Sequence, residues 1–156
     1  MSSHEYMRRA LQLASSSVDD GGGPFGALVV RGGVVIAEGT NRVALDQDPS
    51  AHAEIVAIRR ACAQLGDFRL EGCELYASCE PCPMCLGAIH WARIPRAYFC
   101  ASRHDAAAAG FDDEQLHQEF RGTPDQRTVK LEQVRIAHRE TAPFLRWSKK
   151  RDKTPY

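Results

Sequence analysis

The chain has 156 residues, enough for one domain with a proper core and too few for two comfortable ones. Apolar residues make up 44% and charged residues 26%, an ordinary globular balance that excludes a disordered or collagen-like chain. Twenty basic and twenty acidic side chains cancel, so no overall field gathers a polyanion, and a nucleic-acid partner is not expected.

The first twenty residues, MSSHEYMRRALQLASSSVDD, lack the unbroken apolar run of a signal peptide, and no stretch approaches the length of a membrane span. The expected location is therefore cytoplasmic, with no membrane partner. Six cysteines in a reducing compartment argue against disulfides. Met7, Ala10, Leu11 and Ala14 recur at helical spacing and predict an N-terminal helix. The glycine-rich DDGGGP at 19–24 ends it. GALVV and VVIAE, joined at Arg31-Gly32-Gly33, predict a β-hairpin, and a polar loop, TNRVALDQDPS, follows. AHAEIVAIRRACAQLG reads as a helix, with Pro49 and Ser50 at its mouth and Gly66 at its exit.

CELYAS reads as a strand and PMCLGAIHWARI as a helix. RAYFCAS, apolar in its middle, has the look of a strand buried on both faces. An alanine run, a Phe-Asp-Asp turn, a short helix near 113–120 and a loop at RGTPDQRT come next. VKLEQVRIA suggests a last strand and APFLRWSKKR a terminal helix. With no repeat and no dividing linker, strands alternating with helices imply one α/β sandwich, a mostly central sheet covered on both faces.

The chemistry concentrates in SCEPCPMCLGAIHWARI, residues 78–94. Cys82 and Cys85 are three apart where a helix begins, so both thiols leave the same face of its first turn. Free amides and the dipole at a helix N-terminus favour the thiolate, the form that binds metal. Pro83 suits the first helical position, where its missing amide hydrogen costs nothing. Alone, C-x-x-C is equally compatible with metal binding, redox use or packing. It gains meaning beside His52, at the mouth of another helix, because two such mouths can meet at the carboxyl edge of a sheet. One histidine and two cysteines make three zinc ligands, the open catalytic pattern, whereas structural sites close with four. Glu54 is two residues from His52, too close to share its face, yet it can reach whatever occupies the open position and move a proton there. Cys79 as a fourth ligand is the competing reading. Cys62, Cys73 and Cys100 read as small buried hydrophobes. His90 reads as a core-edge histidine, and His4, His104, His117 and His138 as surface residues.

H-x-E with P-C-x-x-C is an established signature of the zinc nucleobase deaminases. With P-F-G-A at 24–27, H-A-E-I at 52–55 and P-C-P-M-C-L-G-A-I at 81–89, the chain resembles the cytidine-deaminase-like zinc deaminases over essentially its whole length. Within that superfamily it is most similar to the bacterial guanine deaminases, on Phe25, Asn41, the Phe-Asp-Asp turn and the terminal Tyr156. The resemblance implies a three-layer α/β/α domain over residues 1–156 with a five-stranded mixed sheet. It also implies one zinc per subunit, held by His52, Cys82 and Cys85 with a water as fourth ligand, and Glu54 as proton shuttle. The implied purine contacts are Asn41 and the backbone at Ala53, with Phe25 and Trp91 lining the base, Asp113 assisting amine departure and Tyr156 closing a lid. A homodimer that exchanges residues 140–156 is implied as well. Each contact has a plainer alternative: Phe25 or Trp91 as packing, Asn41 as a turn residue, Asp112 or Asp113 as a helix cap, Tyr156 as a loose terminus. A guanosine or triazine deaminase, a tRNA adenosine deaminase and a non-catalytic zinc module are the alternative functions.

Overall fold

A computed structural model describes residues 1–136 and 139–156. Helix α1 (Ser3–Asp19) leads into the hairpin β1 (Gly26–Arg31) and β2 (Val34–Thr40), followed by a single turn α2 (Val43–Asp46) and helix α3 (Ala53–Leu65). Strand β3 (Cys73–Cys79), helix α4 (Pro83–Trp91), strand β4 (Arg96–Ala101) and helices α5 (Arg103–Ala108), α6 (Glu114–Arg121) and α7 (Ala142–Lys149) complete the chain. The sheet runs β2-β1-β3-β4, with β1 antiparallel to both neighbours and β3 parallel to β4.

Strand periodicity divides the core between two layers of helix. Ala27, Val29, Leu75 and Ala77 face α3 and α4, where Ala53, Ala57, Ile58, Ala61 and Ile89 meet them. The alternate residues Leu28, Val30 and Tyr76 face α1 at Tyr6 and Ala10. Both central strands are covered on both sides, which gives the three-layer α/β/α arrangement expected from the sequence. The hairpin turns on Gly32 and Gly33, both at positive φ (57° and 82°), a conformation that a side chain resists.

Close approach of helix to sheet fixes where α3 lies. A Cβ on Gly39 of β2 would overlap the Ala53 carbonyl oxygen and lie 2.6 Å from the Ala57 nitrogen. Only glycine lets the first turn of α3 rest on the strand. That contact holds the N-terminal mouth of α3 over the carboxyl end of β2, beside the mouth of α4.

Four expectations need correction. The described residues form four strands, not five: VKLEQVRIA is not a strand over 129–136, and Ala137, its last residue, lies outside the described residues. Its Val129, Leu131, Val134 and Ile136 are between 63% and 79% exposed, so an alternating pattern with no strand beside it stays irregular. RAYFCAS forms β4, but at the sheet edge, with Phe99 49% exposed rather than buried on both faces. Consequently Cys100 is exposed; Cys62 is half-buried, and only Cys73 of the three is fully enclosed. His90 is likewise exposed on α4, outside the core.

Candidate active site and metal centre

His52 and Cys82 occupy equivalent places, each the N-cap of its helix with extended backbone (φ −66° in both). The loop before His52 is pinned by Asp48, whose carboxylate accepts the Ser50 amide at 2.8 Å and hydroxyl at 2.6 Å. The Arg42 amide donates to the Ala51 carbonyl at 2.9 Å, tying that loop to α2. On the other helix, Pro83 starts α4 and places Cys85 one turn inside it.

The two mouths converge. Cys82 Sγ lies 3.6 Å and Cys85 Sγ 3.5 Å from His52 Nδ1. One donor atom from each of the three residues falls within 4.8 Å of the others. A soft two-sulfur, one-nitrogen set of this size suits tetrahedral zinc, with ligand bonds of about 2.0–2.3 Å. The Cys85 thiol, aided by His52, draws Cys82 down to about 4 against the opposing effect of burial, which favours its thiolate form. Cys85 is correspondingly pushed up, first by that same hydrogen bond and then by burial. The Cys82 contact in turn raises His52 above its ordinary value.

Cys79 is not part of this cluster. Its thiol donates instead to the Ser102 carbonyl at 3.6 Å, and burial pushes it up to about 11. Three ligands leave one coordination position for chemistry.

The cluster borders a cavity of about 550 Å³ lined by Phe25, Asn41, His52, Glu54, Cys82 and Asp113 among others. Glu54 is buried, and burial raises its carboxyl above the usual carboxylate range. Ala53 is fully enclosed, but as the first residue of α3 its amide has no acceptor within the helix. Phe25 and Phe111 meet edge-on, ring centroids 5.1 Å apart at 89°, as an aromatic wall. The Phe25 carbonyl accepts the Asn41 amide at 3.1 Å, so one backbone contact places both residues. Asn41 spends its Oδ1 on the Val43 amide at 3.3 Å, leaving Nδ2 as a donor. Gly22 is needed behind it, since a Cβ there would press on the Asn41 carbonyl and on Ser17 Oγ.

Residues 1–101 match the family described as the cytidine and deoxycytidylate deaminase zinc-binding region. The chain belongs to that family. Among the relatives of this zinc deaminase, the guanine deaminase of Bacillus subtilis is 48% identical over 100% of both chains. The tRNA-specific adenosine deaminase of Aquifex aeolicus is 38% identical over 72% of this chain and 76% of its own. The crystal structure of the Bacillus subtilis guanine deaminase superposes with a TM-score of 0.96 over 100% of this chain and 99% of that one, at 46% identity.

The zinc deaminase fold does not bring every expected residue to the cavity. Trp91 (58% exposed) and Tyr156 (78% exposed) lie outside it, paired with each other at 6.2 Å on the outer side of α3 and α4. Asp112 and Asp113 both line the cavity but differ in partner: Asp112 Oδ1 accepts the Glu114 amide at 2.9 Å at the start of α6, while Asp113 Oδ2 faces His117 Nε2 at 3.2 Å. His117 is not the solitary surface residue the sequence suggests; its spacing of four from Asp113 along a helix was the legible signal. Arg103 and Glu80, which also line the cavity, carried no sequence signal. The Arg103 amide donates to Glu80 at 3.1 Å and its guanidinium reaches Glu114 at 3.5 Å, linking the Cys82 segment to α6.

Proposed function

We propose that the protein is a cytoplasmic, zinc-dependent guanine deaminase, converting guanine and water to xanthine and ammonia. The observation that carries this reading is the match to the Bacillus subtilis guanine deaminase over 100% of both chains, whereas the match to the tRNA-specific relative covers 72% of this one. The zero net charge agrees with it, because an anticodon-stem binder needs a basic surface.

His52, Cys82 and Cys85 are the zinc ligands in this proposal. Zinc bound there supplies Lewis acidity, bringing the pKa of water toward about 7 so that hydroxide is available under neutral conditions. The chain's own residues do the rest. Asn41 Nδ2 and the Ala53 amide donate to acceptors on the purine and fix its register. Phe25 lines the base, with Phe111 braced against its ring. Glu54 accepts the proton of the attacking water and delivers it to the ring nitrogen adjoining C2 as that carbon becomes tetrahedral. Its burial suits the first of these transfers, because a carboxylate raised in pKa is a stronger base toward the proton of the water. Asp113 supports the departing amine while Glu54, unprotonated again, takes the remaining proton from the hydroxyl now on C2 and hands it to that amine, so that ammonia leaves as the C2 carbonyl of xanthine forms.

The working unit in this proposal is one domain, residues 1–156, as a homodimer that exchanges residues 140–156. Two features support it. The C-terminal residues Phe144, Leu145 and Trp147 are 72%, 57% and 42% exposed, more apolar surface than a lone chain usually leaves in water. Tyr156 also lies away from its own chain's cavity, which leaves it available to cover the cavity of a second subunit. Trp91 then lines the purine only as part of that assembled lid.

The test is ammonia release from guanine, guanosine, adenine and cytosine measured side by side, with tRNA adenosine as a fifth substrate. Guanine should be turned over fastest by the zinc-loaded protein. Preferred deamination of guanosine, or specific deamination of tRNA adenosine at moderate salt, overturns the assignment.

A further inference from the structure

We infer that His117 is a positioning residue that fixes the direction of the Asp113 carboxylate. The inference rests on the proposed role of Asp113 at the departing amine, and it assigns the part of that site which no cavity-lining residue supplies.

Asp113 is the N-cap of α6, at the end of the exposed Phe-Asp-Asp turn. A carboxylate on such a turn has free rotation unless something holds it. Asp112 does not, because its own oxygen is committed to the Glu114 amide at 2.9 Å. His117 is one helical turn further on. Its backbone amide donates to the Asp113 carbonyl at 3.0 Å, and its ring Nε2 lies 3.2 Å from Asp113 Oδ2. An ionised carboxylate only accepts, so Nε2 carries the hydrogen. The two side chains are only 18% and 24% exposed, so water competes weakly for the contact.

The pair divides its work by place. Asp113 lines the catalytic cavity and His117 does not. With Oδ2 held from behind, Oδ1 has no side-chain or amide donor among the described residues and is the oxygen left for substrate. Helix α6 is itself anchored, because Glu114 reaches Arg103 at 3.5 Å and Arg103 donates to Glu80 at 3.1 Å, next to the Cys82 segment. The histidine therefore aims a carboxylate from a support tied to the metal-bearing loop. A simple helix-stabilising pair predicts none of the kinetic effects below.

The experiment compares zinc-loaded His117→Leu, His117→Gln, Asp113→Asn and the double variant His117→Leu/Asp113→Asn. Initial rates of ammonia release from guanine, zinc content and thermal midpoint are measured for each. His117→Leu removes the donor and should lower kcat by roughly ten- to a hundredfold, the scale of a misplaced reacting group, with KM changed far less. His117→Gln keeps a side-chain donor and should recover most of the rate. Asp113→Asn should be at least as slow as His117→Leu, and adding His117→Leu to it should cause no further loss, because both act through one carboxylate. Wild-type kcat in His117→Leu beside a slow Asp113→Asn overturns the positioning role alone. So do losses that multiply in the double variant, or a loss that tracks zinc content or thermal midpoint without rescue by glutamine. Should Asp113→Asn itself turn over guanine normally, the parent reading of Asp113 fails, and the role of His117 falls with it.

Discussion

Gly39→Ala tests how tightly the metal centre depends on the contact between α3 and the sheet. The added Cβ would lie 2.6 Å from the Ala57 nitrogen and 3.1 Å from its Cα, both backbone atoms that cannot rotate aside. Comfortable contact needs about 3.5 Å, so the first turn of α3 must retreat on the order of 1 Å. Overpacking of this kind costs about 1–3 kcal/mol. For a chain of this size each kcal/mol lowers the melting temperature by roughly 2–4 °C. The functional loss should be larger than the stability loss suggests, because the retreating turn carries His52 and Glu54 while Cys82 and Cys85 stay on α4. A misplacement of about 1 Å can cost on the order of a hundredfold in rate. Differential scanning calorimetry, zinc analysis and guanine turnover on the same preparation read all three quantities. A Gly39→Ala protein with unchanged melting temperature, full zinc and wild-type kcat would falsify the claim that this strand glycine sets the site.

Glu54→Gln keeps volume and hydrogen bonding but cannot shuttle a proton; turnover should fall by about a hundred- to ten-thousandfold with zinc retained, and near-normal ammonia release refutes the assignment. Its stability effect has a defined sign: a buried carboxyl with raised pKa disfavours the fold above the ordinary carboxylate range, so in chelated protein Gln should raise the melting temperature at neutral pH and lose that advantage as pH falls through the unfolded carboxyl's pKa. Cys82→Ser should strip zinc whereas Cys79→Ser keeps it, since only the former is in the three-ligand cluster; equal loss in both means a closed four-ligand site. Deleting residues 154–156 should leave zinc and melting temperature nearly unchanged but slow guanine turnover, as water enters a pocket that has lost its cover. Unaltered guanine kinetics in the truncated protein rule out the lid role of Tyr156.

Local chemistry was written in the sequence because its causes are local. Cys82 and Cys85 had to share a face once Pro83 opened a helix, and His52 read as a helix-mouth residue from Pro49 and Ser50 alone. GALVV and VVIAE, joined at Arg31-Gly32-Gly33, marked a hairpin by the glycine turn between them before any further partner strand was known. What depended on neighbours distant in the chain was decided by packing. Apolar RAYFCAS looks the same whether it lies at the centre or the edge of a sheet, and only its pairing with β3 alone made it an edge. VKLEQVRIA alternates as a strand should, but a pattern is not a partner, and over 129–136 it is not a strand. Cys79 is as near in sequence to Cys82 as Cys85 is, yet β3 ends with its thiol turned to Ser102, away from the ligands. Asp112 and Asp113 are chemically identical, adjacent and both line the cavity; the fold gave the first the Glu114 amide as its partner and the second the His117 ring. Residue types and spacings therefore sufficed for the ligand set and the elements that bear it. Which strand is an edge and which thiol is left out depend on contacts between segments far apart in the chain, and those exist only once the tertiary structure has formed.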